Sequence, residues 1–263
     1  MALGRFKSIL GDKRAVVPDG HVAPAPSVET VLAPDRPFVA IGDVHGRIDL
    51  LVPMIDAIRA ETGPDVPIVM LGDYIDRGLN SAATLNTLFE RQSQSPESFI
   101  CLMGNHEKMM LEFIDDPAGK GARWLVNGGD ETLANYGVAA KRAEMTAEDA
   151  VAAADALEAA LPEGLQPWLR ALPLTWSSGN MHCVHAAMDP DKPPHAQDRR
   201  TLLWGHPRFL SEPRTDGLTI VHGHTVMAQP AIGDGRISLD TGAYMTGVLA
   251  AAFISGGDCV FNV

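Results

Sequence analysis

Phe38-Val39-Ala40-Ile41-Gly42-Asp43-Val44-His45-Gly46 decides the fold: four apolar residues, a glycine, then a carboxylate and an imidazole two positions apart. A short apolar strand that ends on such side chains belongs to an α/β sheet whose chemistry sits on the loops beyond the strand ends. The pattern recurs. Ile68-Val69-Met70-Leu71 runs into Gly72-Asp73-Tyr74-Ile75-Asp76-Arg77-Gly78, and Phe99-Ile100-Cys101-Leu102-Met103 runs into Gly104-Asn105-His106-Glu107. Later, Met181-His182-Cys183-Val184 precedes His185, and Val221-His222-Gly223 precedes His224. Between these runs Ile48, Leu51, Ile55 and Ile58, then Leu85, Leu88 and Phe89, fall at helical spacing. Hard oxygens and imidazoles gathered at one mouth suit a pair of divalent metal ions.

The chain has 263 residues, enough for one large core, and its 46% hydrophobic content argues against extensive disorder. A formal net charge of −12 disfavours non-specific binding to nucleic acid or an anionic membrane. Cys101, Cys183 and Cys259 are far apart, show no Cys-X-X-Cys spacing and lie in apolar segments, so they read as buried free thiols of a reducing compartment. No apolar run spans a bilayer and Met1–Leu10 lacks a signal-peptide core, so a cytoplasmic enzyme is expected.

Residues 1–36 read as a flexible N-terminal arm, and 37–263 as a single domain. From about 108 to 172 the strand signal fades, and Met109, Met110, Phe113, Trp124 and Leu125 suggest a helical cap inserted over the core. Within it, Thr146-X-X-Asp149 resembles a capping box, and the acids Glu148, Asp149, Asp155 and Glu158 read as a solvated face. Strands are expected again at Leu174–Trp176, Met181–Val184, Leu218–Val221, Arg236–Leu239, Val248–Ile254 and Cys259–Val263.

Taken singly, Gly42-Asp43 reads equally as a helix N-cap and Asp76-Arg77-Gly78 as a salt-bridged turn. Taken in series, the motifs resemble the PPP superfamily of metal-dependent phosphoesterases, over about Phe38 to Tyr244. The cap segment Trp124-Leu125-Val126-Asn127-Gly128-Gly129-Asp130-Glu131-Thr132-Leu133 is similar to the bacterial phosphoprotein phosphatase branch. The resemblance implies a four-layer α/β/β/α metallophosphatase sandwich. It implies that Asp43 and His45 bind a first metal, that Asp73 bridges both, and that Asn105, His185 and His224 complete the second. The cofactors implied are two divalent ions, Mn foremost, with Fe, Zn, Ni or Mg as alternatives. Their shared water would yield the hydroxide that attacks phosphorus directly, with no phosphoenzyme.

By the same resemblance His106 is the general acid, Asp76 orients it, and Arg77 and Asn105 bind phosphate. In many bacterial relatives a second arginine sits two residues after the Trp of Leu-Leu-Trp. Here Leu202-Leu203-Trp204-Gly205-His206-Pro207-Arg208 has His206 there, which leaves Arg208 as the candidate, followed by Arg199 and Arg200. Ala187 stands where a glycine usually follows Val184-His185-Ala186. Asp240 reads either as a carboxylate supporting the metal loops or as a turn residue, and neither His222 nor His182 is expected to ligate metal. The expected reaction is hydrolysis of phosphoserine and phosphothreonine in proteins. A diadenosine tetraphosphatase-type hydrolase and a non-catalytic phosphoprotein-binding scaffold are the alternatives.

Overall fold

The computed structural model describes residues 28–139 and 145–262. Apolar strands pair into two five-stranded sheets. In the first, β1 (Phe38–Ile41), β2 (Ile68–Met70) and β3 (Phe99–Cys101) run parallel, with Val39 opposite Ile68 and Val69 opposite Ile100. The second begins with β4 (Thr175–Ser178), β5 (Met181–Val184) and β6 (Thr219–His222), and continues through β7 (Ala231–Gly233) and β8 (Arg236–Ser238). β9 (Ala251–Ser255) and β10 (Asp258–Asn262) return to the first sheet, giving the orders β10-β9-β1-β2-β3 and β4-β5-β6-β8-β7.

Period-two alternation sorts each strand's side chains to opposite faces. Val39, Ile41, Ile68, Met70, Phe99 and Phe253 pack beneath the helices, whereas Phe38, Ala40, Val69, Leu71 and Ile254 meet Met181, Cys183, Val221 and Ile237 between the sheets. The helical layer holds α1 (Ile48–Thr62), α2 (Ser81–Gln94) and α3 (Asn105–Asp115), whose Leu51, Ile55, Ile58, Leu85 and Leu88 are buried as their spacing predicts. Beside them stands a helical block: α4 (Ala122–Trp124), a π-turn (Leu125–Gly129), α5 (Asp130–Asn135), α6 (Ala147–Ala160) and α7 (Leu165–Ala171). Met109, Met110, Phe113, Trp124 and Leu125 join the same core cluster as the first sheet. The α/β/β/α order is thus present, but the layer outside the second sheet is thin, built on α8 (Arg199–Trp204) with Leu202 and Phe209 over Val184 and Ile220.

Thr146 and Asp149 form the expected capping box, each accepting from the other's backbone amide at 3.1 and 2.9 Å, and the acids of α6 are exposed. Most of the expected arm, residues 1–27, lies outside the described residues, as does Val263. The end of the arm is tied down: the Leu32 carbonyl accepts from Gly257, and the Ala33 and Asp35 amides donate to Asn180 and Ser178. β7 carries no strand signal because it is a three-residue edge with Ile232 exposed, so no hydrophobic alternation marks it. No helix among the described residues is long and apolar enough to cross a membrane.

Candidate metal centre

Because β1, β2 and β3 are parallel, the loops leaving them share one edge of the first sheet, and the loops after β5 and β6 share one edge of the second. Those loops are backbone-strained. Six non-glycine residues have positive φ among the described residues, and five of them are His45, Asp73, Asp76, Arg77 and His224; the sixth is Asp234. Left-handed backbone costs an L-residue on the order of 1–2 kcal/mol, and such strain concentrates at functional sites. Close approach of the loops also requires Gly104, where a Cβ would strike the Asp73 amide and carboxylate and the Glu107 carboxylate.

Asp73 is the hub. Its Oδ1 accepts from the His106 amide at 3.0 Å and lies 3.4 Å from His185 Nε2, while its Oδ2 lies 3.7 and 3.8 Å from His45 Nε2 and His106 Nε2. Two clusters result, His45–Asp73–His106 and Asp73–His185–His224, each with possible ligand atoms within 4.8 Å of one another. Hydrogen bonding sets the tautomers. His45 Nδ1 donates to the Ile75 carbonyl at 2.7 Å and His185 Nδ1 to the Leu71 carbonyl at 2.9 Å, so both Nε2 atoms turn lone pairs inward. His185 Nε2 then faces Asn105 Oδ1 at 2.8 Å and His224 Nδ1 at 3.1 Å. Acceptors converging without a proton to share are the arrangement a divalent cation satisfies, so these residues fit metal ions.

Electrostatics agree. Burial pulls His45 down to about 3 and His224 to about 4, and it lowers His185, so these imidazoles are neutral. Burial acts to raise Asp73, but His185, His106 and His45 together hold it well below the usual carboxylate range. Asp43 is raised by burial, then by Asp240 and Asp73 beside it; burial lifts Asp240 to about 6. Asp43 stands at the edge of the cluster, where both carboxylate oxygens accept from the His224 amide at 3.1 Å.

His106 is set apart. Burial would lower it, yet Asp73 and Asp76 outweigh that effect and raise it. Its Nδ1 donates to Asp76 Oδ2 at 2.6 Å. Asp76 is fully buried and accepts twice more, from Trp124 Nε1 at 2.8 Å and Thr132 Oγ1 at 2.6 Å. Desolvation works to protonate Asp76; three donors work against it, and the geometry is that of a carboxylate with fixed orientation.

The profile of the family described as calcineurin-like phosphoesterase matches residues 36–247. The chain belongs to that family. Over 81 residues it is 35% identical to "Serine/threonine-protein phosphatase PP1-delta" of Caenorhabditis elegans, covering 31% of this chain and 26% of that protein. Over 97 residues it is 28% identical to the "Zinc-dependent endopolyphosphatase" of Saccharomyces cerevisiae, covering 36% and 28%. The chain therefore spans little more than a quarter of the length of these two curated relatives. Among solved structures, a putative diadenosine tetraphosphatase superposes with a TM-score of 0.60 at 18% identity, covering 89% of this chain and 96% of that one. A Saccharomyces cerevisiae protein serine/threonine phosphatase similar to human PP5 gives 0.59 at 17%, covering 87% and 79%. At such identities the likeness is one of fold.

In this phosphoesterase the structure brings Asp73, His45, Asn105, His106, His185 and His224 together, with Asp76 behind His106 and Asp43 at the margin. Arg77 reaches in from an exposed position: its Nη1 donates to His45 Nε2 at 3.2 Å and its guanidinium lies 5.1 Å from the Tyr244 ring centroid. Arg208 is not among them. Its side chain is held by Asp191, by Glu212 at 3.0 Å and by Asp189 at 3.5 Å. Arg200 shares a cavity of about 420 Å³ with His224 and Ala187 and is better placed. His222 is tied to Ser238 Oγ at 2.8 Å.

Two supporting groups lie in the sequence motifs with no role assigned to them there. Glu107 is buried and accepts from the amides of Asp73, Tyr74 and Gly104 at 2.9, 2.7 and 3.1 Å, fixing the Asp73 loop; burial and then Asp73 push it up to about 8. Trp124 and Thr132 were legible only as part of a family-like segment. Trp124→Phe keeps the ring against Phe113 but removes one donor from Asp76. It is expected to cost about 1–3 kcal/mol of stability, read from the denaturant midpoint, and to lower kcat with KM unchanged.

Proposed function

We propose that this protein is a metal-dependent phosphomonoester hydrolase that removes phosphate from phosphoserine and phosphothreonine in proteins. The observation that carries the proposal is the 2.6 Å bond from His106 Nδ1 to Asp76, set beside the acceptors that converge on Asp73. Asp43, His45 and Asp73 would hold one divalent ion and Asp73, Asn105, His185 and His224 the other, with manganese the expected metal. Bound there, the ions supply Lewis acidity toward phosphate oxygen and lower the pKa of water.

The side chains supply the rest. Arg77 offers a planar fork to non-bridging phosphate oxygens. Asp76 takes the Nδ1 proton of His106 in a fixed hydrogen bond, which aims Nε2 toward the cluster, where it can protonate a departing oxygen. An acid held this way matters most when the leaving group is a strong base, and the alkoxides of serine and threonine are far more basic than a phenolate or a phosphate. The likeness to the nematode serine/threonine phosphatase supports the same substrate.

The test compares kcat/KM for a phosphoserine peptide, a phosphotyrosine peptide and diadenosine tetraphosphate, with Mn²⁺ and with chelator. Metal-dependent turnover that favours the phosphoserine peptide is expected. Strong preference for the dinucleotide would move the protein to the dinucleoside polyphosphate hydrolases. Chelator-insensitive hydrolysis would remove the metal mechanism, and peptide binding without hydrolysis by the metal-loaded protein would indicate a scaffold.

A further inference from the structure

Next to the cavity that reaches His224, α3, α4 and α8 border another, open to the surface, of about 560 Å³. Lys108, Arg123, Arg199 and Arg200 line it, against one acid, Glu112. This concentration of positive charge stands out in a chain of net charge −12. Glu112 is already engaged, with Lys108 Nζ at 3.4 Å and Arg123 Nη2 at 2.5 Å. Arg199 and Arg200 are exposed, and their side chains make no hydrogen bond or ion pair among the described residues. The cavity also shares Arg200 and Trp204 with the one that reaches His224, so the two adjoin.

Two unpartnered guanidinium groups in a concave wall focus positive potential and present donor forks that match phosphate. Arg123 covers one face of the Trp204 ring, its guanidinium 4.5 Å from the centroid, so this face presents charge. We infer that this cavity receives a second phosphate group of the substrate, making the preferred substrate a peptide phosphorylated twice within a few residues. The inference rests on the phosphoprotein reading above and adds to it the identity of the neighbouring group.

The test measures, by fluorescence anisotropy in chelator, binding of a labelled peptide with two nearby phosphoserines and of its singly phosphorylated twin. A second phosphate set against two exposed guanidinium forks is expected to make the doubly phosphorylated peptide bind about 10-fold tighter. Arg199→Glu, and separately Arg200→Ala, should bring the ratio toward one, while Arg36→Glu, a charge reversal at an exposed residue outside both cavities, should preserve it. Equal affinities in the unaltered protein, or a preference that survives Arg199→Glu, overturn the inference. Tighter binding of inorganic tripolyphosphate than of the doubly phosphorylated peptide overturns it too and assigns the cavity to free polyphosphate. If neither peptide is hydrolysed with metal restored, the protein phosphatase reading fails, while the binding ratio still decides what the cavity holds.

Discussion

Asp73→Asn is expected to strip the protein of tightly bound divalent metal and to lower phosphopeptide turnover on the order of 10³-fold, since metal stabilisation of the transition state contributes several kcal/mol. The change is nearly isosteric, and the amide oxygen can still accept from the His106 backbone as Asp73 Oδ1 does at 3.0 Å. What is lost is the negative charge whose two oxygens face the two imidazole sets. Stability should fall as well. Asp73 is among the charges that raise Asp43, Glu107 and Asp240, but its own carboxyl is held well below the usual carboxylate range by His185, His106 and His45, so the ionised form stabilises the fold at neutral pH and the amide forfeits that. Metal-free Asp73→Asn should therefore melt below metal-free wild type, and chelator should lower the melting temperature of wild type only. Metal analysis, peptide kinetics and thermal melts with and without chelator check the three parts. Retention of two ions by the variant would contradict the placement of Asp73 as bridge.

His106→Asn should leave metal content nearly intact and reduce kcat for a phosphoserine peptide by about 10²–10⁴-fold, the usual contribution of a positioned acid. The effect should shrink when the leaving group is a weak base, so p-nitrophenyl phosphate should lose much less. That contrast separates two roles the geometry allows, because His106 Nε2 also falls within the cluster formed by His45 and Asp73. Were His106 a metal ligand, the variant would lose metal, and both substrates would suffer equally.

Much of the fold was legible in the sequence for one physical reason: buried parallel strands must be apolar, and Phe38–Ile41, Ile68–Met70 and Phe99–Cys101 stand out as apolar runs ending in glycine motifs. Residues on the turns just past those runs are carried to one edge by topology, which is why the sequence alone groups Asp43, His45, Asp73, Asn105 and His106. What escaped depends on contacts between distant segments. Asp76 meets Trp124 and Thr132 across 48 and 56 residues, and no periodicity encodes that meeting. Arg208 and Arg200 are equally charged and close in sequence. Only the fold directs one toward Asp189, Asp191 and Glu212 and leaves the other free beside His224. Glu107 lies within its motif, but its grip on four backbone amides is visible only once the Asp73 turn lies against α3.

Trp124 and Arg123 are consecutive residues with opposite duties: one steadies the carboxylate behind His106, and the other lines the basic cavity. A chimera that exchanged the helical block to alter substrate preference would therefore transplant part of the proton-donating apparatus as well. Grafts lacking the indole N–H of Trp124 and the hydroxyl of Thr132 should arrive with a misaligned acid whatever they recognise, so in this scaffold recognition and acidity are inherited together.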